Sequence, residues 1–356
     1  MKIAYVEMGS RGHNLVYLTN LIKGREKDAI LIVPEEIKSI DCRQRVLKNV
    51  EGKKRSFSKY LKWLNEMAAL AHEENADIVH FLEGDLFYRF FGIGLNKFKS
   101  FKTVITLHWI RQGFIEKCSI RTIARKVSIV VVHSAFLKHQ VKEFGILNVK
   151  HIEYPQFNQI EINENSAKEF WGLNPHIKTL ACIGSTRYDK GLDVLIEALK
   201  KVNHPFQLLV AGQVNKFTEE DILDMGSTIK DKMYLNIHYL SDEELAYAFA
   251  ASDIIVLPYR KSFNGASGPL GEGVSYNKCI LGAGHGNLGY TIKQHHLGYT
   301  FESENIDDLA RTVDMALTEH FKLDDSYVAY KESLSPDLFR ASYAALYKSL
   351  YEVRGK

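Results

Sequence analysis

The sequence predicts an α/β protein made of two doubly wound, Rossmann-like parallel sheets. Its 356 residues are enough for about two domains. Short apolar runs alternate with segments of helical period from end to end, as in βαβ units, and this alternation starts twice. We therefore expect a first domain over residues 1–160, completed by a returning C-terminal helix at 337–353, and a second domain over 165–335. The polar stretch 155–168 is the expected join.

The predicted strands are short apolar runs separated by roughly 10–25 residues of helix-like sequence, which is the spacing of parallel strands. In the first domain they lie at residues 2–6, 29–33, 78–81, 103–107, 129–132 and 150–154. In the second domain they lie at residues 179–183, 206–211, 235–238, 254–257, 279–281 and 299–301. Ser241 and Glu244 fit a capping box, and Asn305 is a second helix cap. An amphipathic helix is predicted at 57–71 and a long helix after Pro336.

The composition is that of a globular protein, because 46% of the residues are hydrophobic and 25% are charged. It excludes intrinsic disorder and collagen-like sequence, and no apolar run reaches the roughly 18 residues of a membrane span. The first apolar stretch is too short for a signal peptide, so we expect no such leader. Scattered cysteines without a CxxC pair predict reduced thiols and a cytoplasmic location: Cys42, Cys118, Cys182 and Cys279.

The net charge of +3 conceals two halves of opposite sign. Residues 1–160 contain 26 Lys and Arg against 16 Asp and Glu, a net charge of +10, whereas the remaining residues carry −7. The basic excess concentrates in residues 38–62, where nine cations stand against two acids. Since the helix at 57–71 has an apolar stripe, one hypothesis is that it contacts an anionic membrane surface or a phosphorylated lipid acceptor. The alternative is a stripe that faces the core and a basic face in solvent.

Two cations follow the first strand of the second domain. The apolar run 179–183 ends at Gly184, and the loop after it carries Arg187 and Lys190 before a helix of regular apolar period begins. Both cations should therefore lie at the carboxyl edge of a parallel sheet, where open α/β sheets bind ligands. An arginine fork and a lysine point charge suit a diphosphate. The alternative is a solvated turn with two ordinary surface cations.

A Gly/Ser-rich loop follows the strand at 254–257. A helix should open near Pro269, a favoured first-turn residue, so that the amides of Ser267 and Gly268 point out of its N-terminus. Such an arrangement can hold a phosphate. Glu272, one turn further on, could accept hydrogen bonds from sugar hydroxyls. The alternative is a glycine-rich loop that only makes a tight turn, because such loops are weak signals alone.

Together the segments G-x-x-R-x-x-K-G-L-D and P-Y-x(n)-S-G-x-x-x-E resemble the nucleotide-sugar-dependent glycosyltransferases of family 4. The likeness runs from about residue 179 to 315 and includes Ser241–Leu245, whereas the first half agrees more loosely at 76–80, 106–108 and 131–134. The resemblance implies the two-domain GT-B fold. Its two Rossmann-like domains would face a cleft, with the C-terminal helix returning to the first domain.

The resemblance also implies roles for individual residues. Arg187 and Lys190 would neutralise the donor diphosphate, and the amides of Ser267 and Gly268 would bind its distal phosphate. The other implied contacts are Glu272 with the ribose, Tyr239 and Leu240 with the nucleobase, and a glycine loop facing the donor at Gly9, Gly12 and His13.

The sequence departs from the family pattern at two positions. Asn264 stands where many members have a first glutamate, so it would bind the donor sugar without a charge. Trp109 follows His108 where an acidic residue is common. His108 ends an apolar strand and is the candidate catalytic residue, the alternative being a structural histidine at a strand end. His80 is a weaker candidate.

The implied function is transfer of a hexose from a nucleotide-diphosphate sugar, a UDP-sugar by preference, to an acceptor, with retention of configuration and no cofactor. No DxD motif stands beside a strand end, so we expect no metal. The expected acceptor is anionic, lipid-linked or a glycan, and the location is the cytoplasm or the inner face of the membrane. Nucleic acid is not expected, since no known binding motif is present.

Two other functions remain open. A non-catalytic nucleotide-sugar-binding partner of another glycosyltransferase is compatible with the loss of the first glutamate. A GT-B-fold epimerase would need more acid and base groups around the sugar than Asn264 leaves. A dinucleotide oxidoreductase is disfavoured, because no G-x-G-x-x-G follows the first strand.

Overall fold

The computed structural model describes residues 1–9, 13–48, 56–110, 113–157, 160–263 and 265–352. The chain divides into two compact units, Met1–Phe157 with Pro336–Lys356 and Asn158–Ser335. Of the predicted site residues, Gly12 and Asn264 lie outside the described residues, as does the side chain of His13.

The strands are the short apolar runs of the sequence with one addition. In chain order they are β1 Ile3–Val6, β2 Ala29–Val33, β3 Arg43–Val46, β4 Ile78–Phe81, β5 Lys102–Leu107, β6 Ile129–Val132, β7 Val149–His151, β8 Thr179–Ile183, β9 Gln207–Ala211, β10 Met233–Asn236, β11 Ile254–Leu257, β12 Cys279–Ala283 and β13 Gly298–Phe301. Every predicted strand is confirmed, with boundaries that differ by at most three residues. The addition is β3, whose charged sequence lacks an apolar run.

Most of the α-helices lie between strands in the sequence, and the last three follow β13. They are α1 His13–Ile22, α2 Phe57–Glu73, α3 Phe114–Ala124, α4 Ala135–Glu143, α5 Glu164–Phe170, α6 Leu192–Leu199, α7 Glu219–Met225, α8 Asp242–Ala251, α9 Gly268–Ser275, α10 Gly286–Gln294, α11 Ile306–Thr318, α12 Asp325–Ser333 and α13 Pro336–Glu352. Shorter 3₁₀ helices lie at Gly84–Phe90, Leu95–Phe98, Tyr188–Lys190 and Ser227–Lys232. The capping box of Ser241 with Glu244 and the cap at Asn305 are both present, as predicted.

Each unit holds a parallel sheet covered by helices, so the predicted pair of doubly wound Rossmann-like sheets is confirmed. Within the described residues, the strand order of the first sheet is β3-β2-β1-β4-β5-β6-β7 and that of the second is β10-β9-β8-β11-β12-β13. Both orders reverse at the middle of the sheet, between β1 and β4 in the first unit and between β8 and β11 in the second. In such sheets the loops after the two central strands diverge, and ligands bind in the crevice left at their carboxyl ends.

Helix α2 packs its apolar stripe against the core of the first unit. Tyr60, Leu64 and Met67 are each at most 1% exposed. The alternative of a core-facing stripe is therefore correct, and the stripe is not available to a membrane. Arg45, on the edge strand β3, pairs with Glu74 at 2.6 Å and also with Glu73, so part of the predicted basic stretch is neutralised within the unit. Charged side chains are typical of an edge strand.

The last helix, α13, belongs to the first unit and is joined to it by buried hydroxyls. Tyr347 Oη lies 2.7 Å from His80 Nδ1, and Tyr343 Oη lies 2.7 Å from Tyr17 Oη. The other ring nitrogen of His80 lies 2.8 Å from Thr106 Oγ1. Burial holds the pKa of His80 well below its usual range, so the ring stays neutral in a structural network. His80 therefore has no nitrogen left for a substrate.

All four cysteines have unpaired thiols in the structure. Among the described helices, none combines the length and the apolar character needed to cross a membrane.

Candidate functional site

The predicted diphosphate site lies where the strand order of the second sheet reverses. Strands β8 and β11 are neighbours, with Leu180 opposite Ile254. The chain leaves β8 towards β9 on one side and leaves β11 towards β12 on the other. The loops that follow these two strands carry the cations and the Gly/Ser segment singled out from the sequence. The fold thus brings both segments to one edge, as parallel pairing requires.

The loop after β8 points its lysine back over the end of the strand. A Cβ atom at Gly184 would lie 2.5 Å from Lys190 Nζ and 3.9 Å from Pro269 Cγ, so these three residues converge. Lys190 is paired with no carboxylate among the described residues, and burial lowers the pKa of its ammonium group. A half-buried cation without a carboxylate partner among the described residues favours binding of an anion at this strand edge.

Arg187 lies in the same loop and is already partnered. Its Nε donates to Asp189 Oδ1 at 2.9 Å, and its side chain is 44% exposed. An incoming diphosphate would have to share this guanidinium with Asp189. Arg187 is therefore more exposed to solvent than Lys190, but its guanidinium is already paired with Asp189.

The loop after β11 ends in a capped helix. Ser267 is the N-cap of α9 and its Oγ accepts from Leu270 N at 3.3 Å, while Pro269 occupies the first turn. Tyr259, buried beneath the loop, has its hydroxyl 3.1 Å from Ser267 Oγ. The amides of Ser267 and Gly268 donate to no described residue. The helix opens where the sequence predicted it, and a helix N-terminus of this kind can bind an anion.

Arg260, which the sequence did not single out, ties the two loops together. Its guanidinium grips Asp193 with two hydrogen bonds of 2.9 and 2.7 Å and donates to Tyr188 O at 2.6 Å. Its own amide donates to Asp189 O at 2.9 Å. Gly191 makes this approach possible, since its φ is +67° and a Cβ there would lie 2.0 Å from Pro258 O. The sequence feature that could have pointed to this arginine is its position directly after the Pro-Tyr pair that follows β11.

The predicted nucleoside contacts lie further along α9 and in the segment after β10. Glu272 lies in α9, and burial, with a smaller contribution from Asp242, raises the pKa of its carboxyl to about 7. Tyr239 is 79% exposed after β10, and Leu240 packs partly against the core. Exposed aromatic rings of this kind can stack on a base. Their assignment to ribose and nucleobase stays a prediction.

We expect Glu272→Gln to stabilise the protein at high pH. A carboxyl whose pKa is raised by folding costs stability as pH rises from its ordinary pKa through about 7, so the wild type carries a penalty of about 3 kcal/mol at about pH 8 and little at about pH 5. Urea unfolding of the wild type and of Glu272→Gln at both pH values measures this penalty. The exposed Glu169→Gln is the matched control and should change neither value. An equal shift at both pH values would show that the buried charge is not responsible.

In the first unit, a carboxylate lies at the corresponding reversal, between β1 and β4. Glu7 follows β1, is 2% exposed, and accepts from Met8 N at 2.8 Å and from Gly9 N at 2.7 Å. Burial and the nearby Glu83 raise its pKa to about 7. Asn14 Nδ2 donates to both carboxylates. Glu7 thus holds the start of the predicted glycine loop. The sequence analysis did not single out Glu7, although a glutamate directly after an apolar strand is visible in the sequence.

His108 follows β5 at the same edge of the first sheet. Its Nε2 lies 2.8 Å from Leu82 O, which can only accept, so Nε2 carries the proton and Nδ1 is the accepting nitrogen of the neutral ring. Burial lowers the pKa of His108. The geometry leaves a neutral imidazole at the strand end, and its catalytic role stays a prediction. Among the described residues no group of three or more His, Cys, Asp or Glu is placed to hold a metal ion.

Comparison with solved structures identifies the fold. A glycosyltransferase from Rickettsia africae superposes with a TM-score of 0.78 at 19% identity, covering 98% of each chain. Sucrose-phosphate synthase from Thermosynechococcus elongatus gives 0.75 at 14% identity over 99% of this chain and 100% of the other. HepE from Anabaena, in complex with UDP, gives 0.76 at 13% identity over 98% and 100%. The chain therefore has the GT-B fold, and identities this low show the fold alone.

The second unit carries a sequence match of its own. Residues 163–333 match the family model for glycosyl transferases group 1. The matched range contains both loops of the candidate site. No curated protein matches the sequence. The family match lies within the second unit and covers just under half of the chain.

Proposed function

We propose that this protein transfers a hexose from a nucleotide-diphosphate sugar, a UDP-sugar by preference, to an acceptor bound by the first unit. The transfer proceeds with retention and without a metal or cofactor, as in the family 4 enzymes that the sequence resembles. The observation that carries the proposal is that Lys190 and the start of α9 converge at the point where the second sheet reverses, with Arg187 in the same loop as Lys190.

Transfer of the sugar requires stabilisation of the diphosphate leaving group. Negative charge grows on the diphosphate as its bond to the anomeric carbon breaks, while the sugar becomes oxocarbenium-like. Lys190, Arg187 and the amides of Ser267 and Gly268 would meet that charge. A preorganised contact of this kind commonly contributes about 2.7–4 kcal/mol to the transition state. Lys190 is suited to the task because its ammonium has no competing carboxylate among the described residues.

The first unit would bind the acceptor. His108 would contact the acceptor or the reacting centre, and the loop at Gly9, held by Glu7, would face the donor. The +10 charge of residues 1–160 favours an anionic, lipid-linked or glycan acceptor. We place the protein in the cytoplasm or at the inner face of the membrane.

The experiment is a thermal-shift screen with UDP, ADP, GDP and their sugars, followed by product analysis with the best donor. UDP and a UDP-hexose should raise Tm by mass action, and the products should be free UDP and a glycosylated acceptor. No stabilisation by any nucleoside diphosphate would contradict the donor site. Binding without hydrolysis or transfer would instead indicate a non-catalytic partner subunit, and a product of altered sugar configuration an epimerase.

A further inference from the structure

The first unit exposes large apolar side chains near cations that have no carboxylate partner among the described residues. Leu147 is 83% exposed, Phe114 is 80% exposed and Ile115 is 65% exposed. These are among the most exposed large apolar side chains that the structure describes. Removing these apolar side chains from water would be favourable in free energy, so their exposure indicates a binding surface.

The cations lie along one face of α3. Phe114, Lys117 and Arg121 recur at three- and four-residue spacing, and Arg125 continues the row just past the end of the helix. Lys117 Nζ lies 5.0 Å from the centre of the Phe144 ring, and Arg121 Nε donates to Phe144 O at 2.6 Å. The row is thus packed against the segment 144–148, which carries Leu147.

A groove of about 510 Å³ lies between the row and that segment, lined by Arg121, Arg125, Leu147 and their neighbours. Within the described part of the chain, no carboxylate pairs with Lys117, Arg121 or Arg125. Residues 114–150 contain seven Lys and Arg against two Asp and Glu. The groove is therefore cationic, with an apolar rim.

We propose that this basic-apolar face, formed by Phe114, Ile115, Lys117, Arg121, Arg125 and Leu147, docks the protein on an anionic membrane surface. The apolar side chains enter the boundary between headgroups and acyl chains, and the arginines bind lipid phosphates. Charge complementarity selects this occupant, because clustered cations beside exposed aromatic and aliphatic side chains match an anionic lipid surface better than a second copy of the same basic face. The membrane contact is thus proposed at α3 instead of at the stretch 38–62 that the sequence suggested. This proposal does not depend on the proposed glycosyl transfer.

The test is flotation of the full chain with phosphatidylcholine vesicles, with and without phosphatidylglycerol. The wild type should bind only the anionic vesicles, and added salt should weaken binding through screening. Arg121→Ser/Arg125→Ser should weaken binding about 25-fold, since each cation near an anionic surface contributes about a fivefold gain. Phe114→Ser/Ile115→Ser should weaken it about tenfold with the salt dependence retained.

Matched controls keep the result specific to this face. Lys59→Ser/Lys62→Ser removes two exposed lysines of α2, and Leu323→Ser removes an exposed leucine of the second unit. Both should bind anionic vesicles as the wild type does. All variants should stay folded, and Arg121→Ser/Arg125→Ser should lower Tm by at most about 4 °C, because it loses the hydrogen bond to Phe144 O. Equal binding to both vesicle types, no binding to either, or equal loss in the lysine control would overturn the proposal. A concentration-dependent dimer that Phe114→Ser/Ile115→Ser dissociates would assign the face to a second copy instead.

Discussion

Lys190→Met should reduce glycosyl transfer from the donor about 100- to 1000-fold while leaving the protein at least as stable as the wild type. Methionine keeps most of the side-chain length and removes the charge. The loss is expected because the ammonium lies at the edge of β8, within reach of Gly184 and of the start of α9, and has no carboxylate partner among the described residues. Stability should not fall, since an unpaired cation that burial desolvates is costly to the folded state.

Calorimetric titration with UDP and donor turnover measure the two parts of this result. Binding of UDP should weaken at least about tenfold, the loss of one charged contact. Lys261→Met is the matched control, because Lys261 is an exposed cation in the loop after β11. A Lys190→Met variant with affinity and turnover within about threefold of the wild type would mean that the leaving group does not sit at this edge.

Arg260→Ala should cost about 3 kcal/mol of the free energy of unfolding. The substitution removes both hydrogen bonds to Asp193 and the one to Tyr188 O, and strands the Asp193 carboxylate beside the loop. Surface pairs behave differently. Arg311, which is 67% exposed and pairs with Asp308, is the matched control, and Arg311→Ala should cost at most about 0.5 kcal/mol.

A double-mutant cycle tests whether the lost stability comes from the Arg260–Asp193 pair or from a general loss of packing. Arg260→Ala/Asp193→Asn should lose less than the sum of the single variants, because no stranded charge remains. Arg260→Ala should also weaken UDP binding, because the two loops are no longer held together. Arg260→Lys should recover part of the stability but not this affinity, since an ammonium cannot reproduce the fork that holds Tyr188 and Asp193 together. Additive losses, or full recovery of affinity by lysine, would show that Arg260 does not position the two loops.

The periodicity of the sequence was enough to locate the strands, because buried parallel strands read as apolar runs whatever their neighbours are. It missed β3, since an edge strand is held by backbone pairing and here carries the charged side chains of Arg43 and Arg45 instead of an apolar run. It also left α2 undecided between core and membrane. An apolar stripe shows only that a face must be covered, and packing decided that Tyr60 and Leu64 are covered by the core.

The same limit applies to the candidate site. Arg187, Lys190, Ser267 and Gly268 were visible because they follow apolar strands in glycine-containing loops, which is local information. Arg260 was not, because its partner Asp193 lies 67 residues away and only the pairing of β8 with β11 brings them together.

The sequence by itself therefore determined the two-sheet architecture, the returning helix and the two segments that carry cations and amides, all of which depend on short-range periodicity and spacing. Only the tertiary structure decided the strand order that places these segments at one edge. It also decided which cation is left without a carboxylate and which apolar side chains stay exposed. Pairing and burial join residues that are distant along the chain, and their energies depend on neighbours that no local pattern contains.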